Sequence, residues 1–249
     1  MISQPVLARM TTLIDRWETD WDGRCVFLRC YSMMTANMLQ SLDAGRFYDR
    51  AWVETLVHRF AEYYFVALDA YDQAGDGVPN VWQRTHDLAR GRDTTVMEDL
   101  LLGVNAHINY DLALVLRDML ADEWPDLTPS QRNLRYQDHD EVNRVIAETI
   151  NDVQNELADR YAATLRVLDL VCGPVDEWQT ARYITLWRKD VWDFGMRLVE
   201  APDAAARAVV QQELEDTALG RANLIFVGGA VRQRVFGYPV RVLRRLRLL

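Results

Sequence analysis

Apolar letters recur at helical steps along almost the whole chain, and no other feature restricts the fold as strongly. Residues 5–21 place Leu7, Met10, Ile14 and Trp17, then Trp21, at steps of three and four. That is the spacing of one helix face and not the alternation of a strand. A second segment, 25–42, is dense in Met, Leu and aromatics and ends near Asp43-Ala-Gly45. Asp49 is placed to cap a third helix running to about Gln73. Gly75-Asp-Gly-Val-Pro79 interrupts the pattern, Pro79 suits the first turn of a short helix, and Gly91-Arg-Asp-Thr94 interrupts it again. Residues 94–122 read as one continuous helix closed by Trp124-Pro125. A polar connector, Asp126 to Tyr136, holds Thr128-Pro129, where a short helix can start, and precedes a long helix from about Asp138 to Val171. Asp176 opens a Trp-rich helix to about Glu200, and Pro202 opens another that ends near Gly220. Only Asn223 to Val231 has a strand-like run, too short to support a sheet. The expectation is an all-α bundle of about seven to nine helices in one domain over residues 1–249.

Charge and composition narrow the function classes. The net charge of −9 argues against a nucleic-acid binder. Three cysteines, none in a Cys-x-x-Cys pair, argue against a disulfide scaffold or a cysteine-built zinc site. No apolar run is long enough for a transmembrane helix, and Arg9, Asp15, Arg16, Glu18 and Asp20 are unlike a signal peptide, so a cytoplasmic protein is expected. The charge is uneven: residues 221–249 carry seven arginines and no acid. This basic tail reads as a terminal helix docked on its own acidic body, with contact to an anionic membrane surface as the alternative.

The segment from Leu100 to Leu112, Leu-Leu-Leu-Gly-Val-Asn-Ala-His-Ile-Asn-Tyr-Asp-Leu, is the strongest candidate for chemistry. Leu101, Val104, Ile108, Leu112 and Val115 form an apolar stripe, and His107 and Asp111, four apart, stack beside it. Asn105 and Asn109 form a second pair at the same spacing. Polar groups on such a helix need partners, because an unpaired buried polar atom is costly. His107 and Asp111 can share a metal ion, or Asp111 can orient His107 as a general base. The alternative is a helix–helix hydrogen-bond network without chemistry.

Other candidates surround it. His58 with Glu62 and Asp69 lies on the polar side of the 50–73 helix, whose apolar face carries Trp52, Leu56, Phe60, Tyr63, Ala67 and Tyr71. Asp138 or Asp140 is a natural N-cap, with Glu141 completing a capping box to Asp138. Asn143 starts an inward stripe with Ala147, Ile150 and Gln154. Arg188, four residues before Trp192, can clamp an anion beside indoles. Trp82 reads as a lid over one bundle end or as core.

Gly103-Val-Asn-Ala-His-Ile-Asn-Tyr-Asp-Leu112 resembles the signature of a bacterial helical family of unknown function, frequent in actinobacteria. Phe47 with Trp52-Val53, Phe60 with Tyr64, Pro79 with Trp82, Asp140 with Asn143 and Arg188 with Trp192 extend the resemblance over roughly 25–200. It implies a helical fold and no particular reaction. The His-x-x-x-Asp step is also remotely similar to the zinc-dependent phospholipase C and P1 nuclease class, although only four histidines are present here. Asn151, Asn155 and Asp159 resemble a class I terpene-cyclase magnesium triad, without an accompanying Asp-Asp-x-x-Asp box.

The resulting expectation is a small-molecule enzyme with His107, Asp111 and Arg188 as catalytic groups and Asn105, Asn109, Asn143 and Trp192 around the substrate. A divalent metal (Zn or Mg) on His107, Asp111, His58 and Asp140 would make it a hydrolase. A metal-independent lyase, isomerase or cyclase and a non-catalytic helical binding protein are the alternatives.

Overall fold

A computed structural model describes residues 3–91, 94–172, 187 and 190–245, with side chains described over 5–91, 94–149 and 190–226 and at 152, 155, 156 and 187. Every regular element among the described residues is helical: α1 (Ser3–Asp20), α2 (Arg24–Asp43), α3 (Arg50–Asp72), α4 (Asn80–Gly91), α5 (Val96–Ala106), α6 (Leu112–Leu120), α7 (Pro129–Cys172), α8 (190–199) and α9 (Ala204–Arg245). A π-helical turn, His107–Asp111, joins α5 to α6, and a 3₁₀ turn, Trp124–Asp126, follows α6. No helix among the described residues is long and apolar enough to cross a membrane.

Local chemistry sets the helix starts. The Asp49 carboxylate accepts from Trp52 N at 3.0 Å and caps α3. Thr95 and Glu98 form a reciprocal capping box on α5. Thr128 and Gln131 do the same for α7: Gln131 Oε1 accepts from Thr128 N at 2.9 Å, and Thr128 Oγ1 accepts from Gln131 N. Gly23 precedes α2 because a Cβ there would lie 2.5 Å from an Asp99 oxygen and 2.8 Å from the Ala89 carbonyl.

Three sequence expectations need correction. The helix expected from about Asp138 begins at Pro129 and runs without a break, because its cap is Thr128. Asp138 is therefore inside α7 and caps nothing of its own. Its buried carboxylate accepts from Tyr48 N at 2.8 Å and Asp49 N at 2.9 Å, which fixes the entry to α3. The helix expected to end near Gly220 continues to Arg245, so the strand-like run from Asn223 is helical. The side chains of 227–249, and with them the expected docking of the basic tail, lie outside the described residues.

The segment α5–π turn–α6 runs through the middle of the bundle. α5 packs on α2, α4, α7 and α9, the π turn on α3 and α9, and α6 on α3. Leu102, Ala106, Leu112, Ala113, Leu116 and Leu120 are buried along it. Gly103 allows the closest approach: a Cβ there would meet Phe27 Cγ at 2.2 Å and Phe27 Cβ at 2.5 Å. The expected continuous helix over 94–122 is present from Val96, with a wider turn at its centre.

Candidate active site

The π turn coincides with the His-x-x-x-Asp step. Leu112 N–H donates to the His107 carbonyl five residues back, so one extra residue is accommodated between them. Such turns are less stable than the α-helix around them and concentrate at functional positions. Within this turn His107 Nδ1 lies 2.9 Å from Asp111 Oδ2. Trp82 Nε1–H, from α4, points between the two carboxylate oxygens at 3.0 Å from each. Asp111 is 1% exposed, His107 2% and Trp82 0%. Burial pushes the Asp111 carboxyl well above the usual carboxylate range, and the Trp82 N–H opposes that shift.

Aromatic rings hold the imidazole. Phe60 stacks on His107 at 3.5 Å between centroids and 6° between planes, and Tyr31 meets it edge-on at 4.3 Å. Phe27 lies edge-on at 5.8 Å, held there by the missing side chain of Gly103. Burial pushes the Tyr31, Tyr64 and Cys30 protons up as well, Cys30 to about 12, so all three stay neutral near neutral pH.

His107 forms part of the wall of a cavity of about 100 Å³ between α2, α3, the π segment and α7. Phe27, Met34, Met38, Phe60, Ile108 and Val142 are among its other walls. The Nε2 atom of His107 and the hydroxyl of Tyr31 have essentially no accessible surface, so the surface facing the space is almost entirely apolar.

The second pair faces elsewhere. Asn105 Nδ2 donates to the Ala218 carbonyl of α9 at 2.9 Å, and Asn109 Nδ2 donates to Asn105 Oδ1 at 2.8 Å. Arg221 Nη1 then donates to Asn109 Oδ1 at 2.6 Å, and Arg221 Nη2 to Asp190 Oδ2 at 2.7 Å. Both amides are thus engaged in tying the box to α9 and α8, and neither lines the cavity.

The remaining sequence candidates are dispersed. His58 is half-buried on α3, while Asp140 pairs with Arg144 at 3.2 Å and receives a long 3.5 Å contact from Asn143 Nδ2. Neither His58 nor Asp140 lines the cavity. Among the described residues no three His, Cys, Asp or Glu side chains come together as a metal site requires, so the expected four-residue metal set is not assembled. Trp192 is a core aromatic beside Trp124, Tyr136 and His139, with centroids at 6.4, 5.2 and 5.0 Å. Arg188 and the terpene-cyclase-like Asn151 and Asp159 side chains lie outside the described residues.

Two features escaped sequence reasoning. His86 is 2% exposed, stacks on Trp82 at 5.1 Å, and has no hydrogen-bond partner for either ring nitrogen among the described residues. Burial, with Arg24 and Arg90 nearby, drives its pKa down to about 3. A polar cleft of about 460 Å³ gathers Arg16, Arg24 and Arg90 with Asp20, Asp22 and Asp72. Arg24 spans it, donating to Asp22 at 2.7 Å and to Asp72 at 2.8 Å. Its charges balance internally, and no spacing in the sequence linked α1, α2, α3 and α4 at this point.

No curated protein and no solved structure matches this chain. A family model does, over residues 3–227, and it spans the box, the cavity walls and the Trp82 helix together. The chain therefore belongs to the family of unknown function DUF5995.

Proposed function

We propose that the protein is a small-molecule enzyme in which His107 exchanges a proton with an uncharged substrate bound in the neighbouring cavity, without a metal. One observation carries the reading: a buried carboxylate–imidazole pair, gripped by an indole N–H, occupies a π turn beside unfilled space. Burying a carboxylate for packing alone is expensive, and an apolar pair of similar volume is as stable or better. Asp111 engages Nδ1, so proton exchange with a ligand runs through Nε2, the ring nitrogen that Asp111 leaves. A metal on Asp111 would have to displace the contacts its two oxygens already make with Trp82 Nε1 and His107 Nδ1.

The seal over Nε2 favours a second reading, a non-catalytic carrier of an apolar ligand in which the dyad only shapes the wall. Deuterium uptake separates the two. Wild-type protein is incubated in D₂O with a panel of small neutral ketones and esters, and label at carbon is read by mass spectrometry. The enzyme reading expects uptake that is lost in His107→Gln and Asp111→Asn. Asp111→Asn keeps a partner for both neighbours once His107 moves its proton to Nε2, a tautomer visible by ¹⁵N NMR, so it should remain folded. No uptake from any compound, with both variants strongly destabilised, would leave only the packing network.

A further inference from the structure

We propose that the cavity beside His107 binds a compact, uncharged hydrocarbon group of about five carbon atoms. The inference rests on the reading above only for the link to chemistry: the group bound here would be the part of the substrate carried past the imidazole.

Size sets the first limit. The volume of about 100 Å³ is about two-thirds of the ~150 Å³ of a dry apolar cavity that admits benzene, and the space is partly open, so a five-carbon ring or branched chain, comparable in volume to benzene, is the upper size it takes. Met34 and Met38 form one wall, and their unbranched thioethers adapt to an irregular occupant. Phe60, Leu56 and Val57 from α3 face Val142 and Ile146 from α7 across the space.

Polarity sets the second limit. Among the described residues no Asp, Glu, Lys or Arg lines the cavity, and His107 is the one imidazole there. The Tyr31 hydroxyl and the His107 Nε2 atom are covered. A carboxylate or phosphate placed there would lose its water and gain no cation, which excludes it. The charge-lined cleft around Arg24 is built the opposite way, with three arginines and three aspartates and almost no apolar wall. A charged headgroup of the same substrate, if it has one, must therefore remain outside the cavity.

The test uses the full-length wild-type chain with ¹³C-methyl methionine, titrated separately with cyclopentane and with pentanoate, five-carbon probes without and with a charge. Saturable shifts of the Met34 and Met38 methyls with cyclopentane, and at least tenfold weaker binding of pentanoate, are expected. Val142→Phe, which fills the space, should abolish the shifts, and Asn109→Ala on the opposite face should leave them. Absence of a saturable shift in wild-type protein, or equal binding of pentanoate, overturns the proposal whether or not Val142→Phe folds. Cyclopentane binding without His107-dependent deuterium uptake would sink the proton-transfer reading and leave this site standing. Uptake without cyclopentane binding would do the reverse.

Discussion

One short helix carries two polar pairs at the same four-residue spacing, and they end in different environments. His107 and Asp111 turn toward α2, α3 and α4, where an ionisable pair is fully buried beside a cavity. Asn105 and Asn109 turn toward α9, where neutral amides pass a hydrogen bond outward to Arg221 and the half-exposed Asp190. The second arrangement is a strut: every amide contact is accounted for and the far end reaches water. The first holds an ionisable pair away from water and next to space. What stands opposite a polar pair, and not its spacing, separates a site from a tie.

The largest test of that contrast is truncation on each face. Asp111→Ala removes the partner of both Trp82 and His107 and should cost about 3–5 kcal/mol, the usual scale for breaking one side of a buried ionisable pair. Asn109→Ala should cost roughly 1–2 kcal/mol. Urea unfolding of the two variants gives the comparison, and equal losses would erase the distinction between the faces.

Acid should reveal the same asymmetry through His86, which lies on the Trp82 side. Its folded pKa, about 3, is below the ordinary value of 6.5. Between these values the unfolded chain binds the proton and the native chain does not. The neutral ring's contribution is therefore complete above pH 6.5 and is lost as pH falls toward 3, a change of about 5 kcal/mol. His86→Phe keeps a ring against Trp82 and should flatten this limb in melting experiments across that range; an unchanged limb would assign the acid sensitivity to other groups. Asp111 has the opposite sign. Its raised pKa makes its contribution greatest below the ordinary carboxylate range and smaller as pH rises through the folded value.

Trp82→Phe is the sharper, smaller probe. It keeps the ring stacked in the core but removes the donor to both Asp111 oxygens, for an expected loss of about 1.5–3 kcal/mol. Combined with Asp111→Asn the two losses should fall short of additive, since they share one bond. Arg221→Met, on the amide face, should cost about 1 kcal/mol or less and lose part of that effect in high salt, because its partner Asp190 is half exposed. A salt-insensitive loss as large as that of Trp82→Phe would mean that the strut also supports the dyad.

Much of this was legible beforehand, for identifiable reasons. Asp49 is followed by Trp52-Val53 and an apolar period, and its capping role was read correctly. The inward direction of His107 and Asp111 followed from their place beside Leu112 and Ile108 on a helix of period 3.6. Asp138 misled because the letters Asp-His-Asp-Glu fit a cap, while the cap in use, Thr128 with Gln131, lay ten residues earlier. His86 gave no signal: a lone histidine among Arg, Thr and Asp on an amphipathic helix looks exposed, and only packing against Trp82 and Tyr71 buries it. Gly103 in the box had no evident purpose until Phe27 stood over it.

By itself, then, the sequence determined the all-helical class, most helix starts, and the inward direction of His107 and Asp111, while the Asn105 and Asn109 pair, expected around the same substrate, turns to α9 instead. These are local matters, decided by side-chain period and by hydrogen bonds spanning a few residues. Tertiary structure decided which side chain meets each pair: Trp82 for Asp111, Phe60 for His107, Arg221 for Asn109. It also decided that a space of about 100 Å³ adjoins one pair and not the other. The physical reason is that periodicity fixes an angle around a helix axis, whereas the partner and the void depend on contacts between residues tens of positions apart.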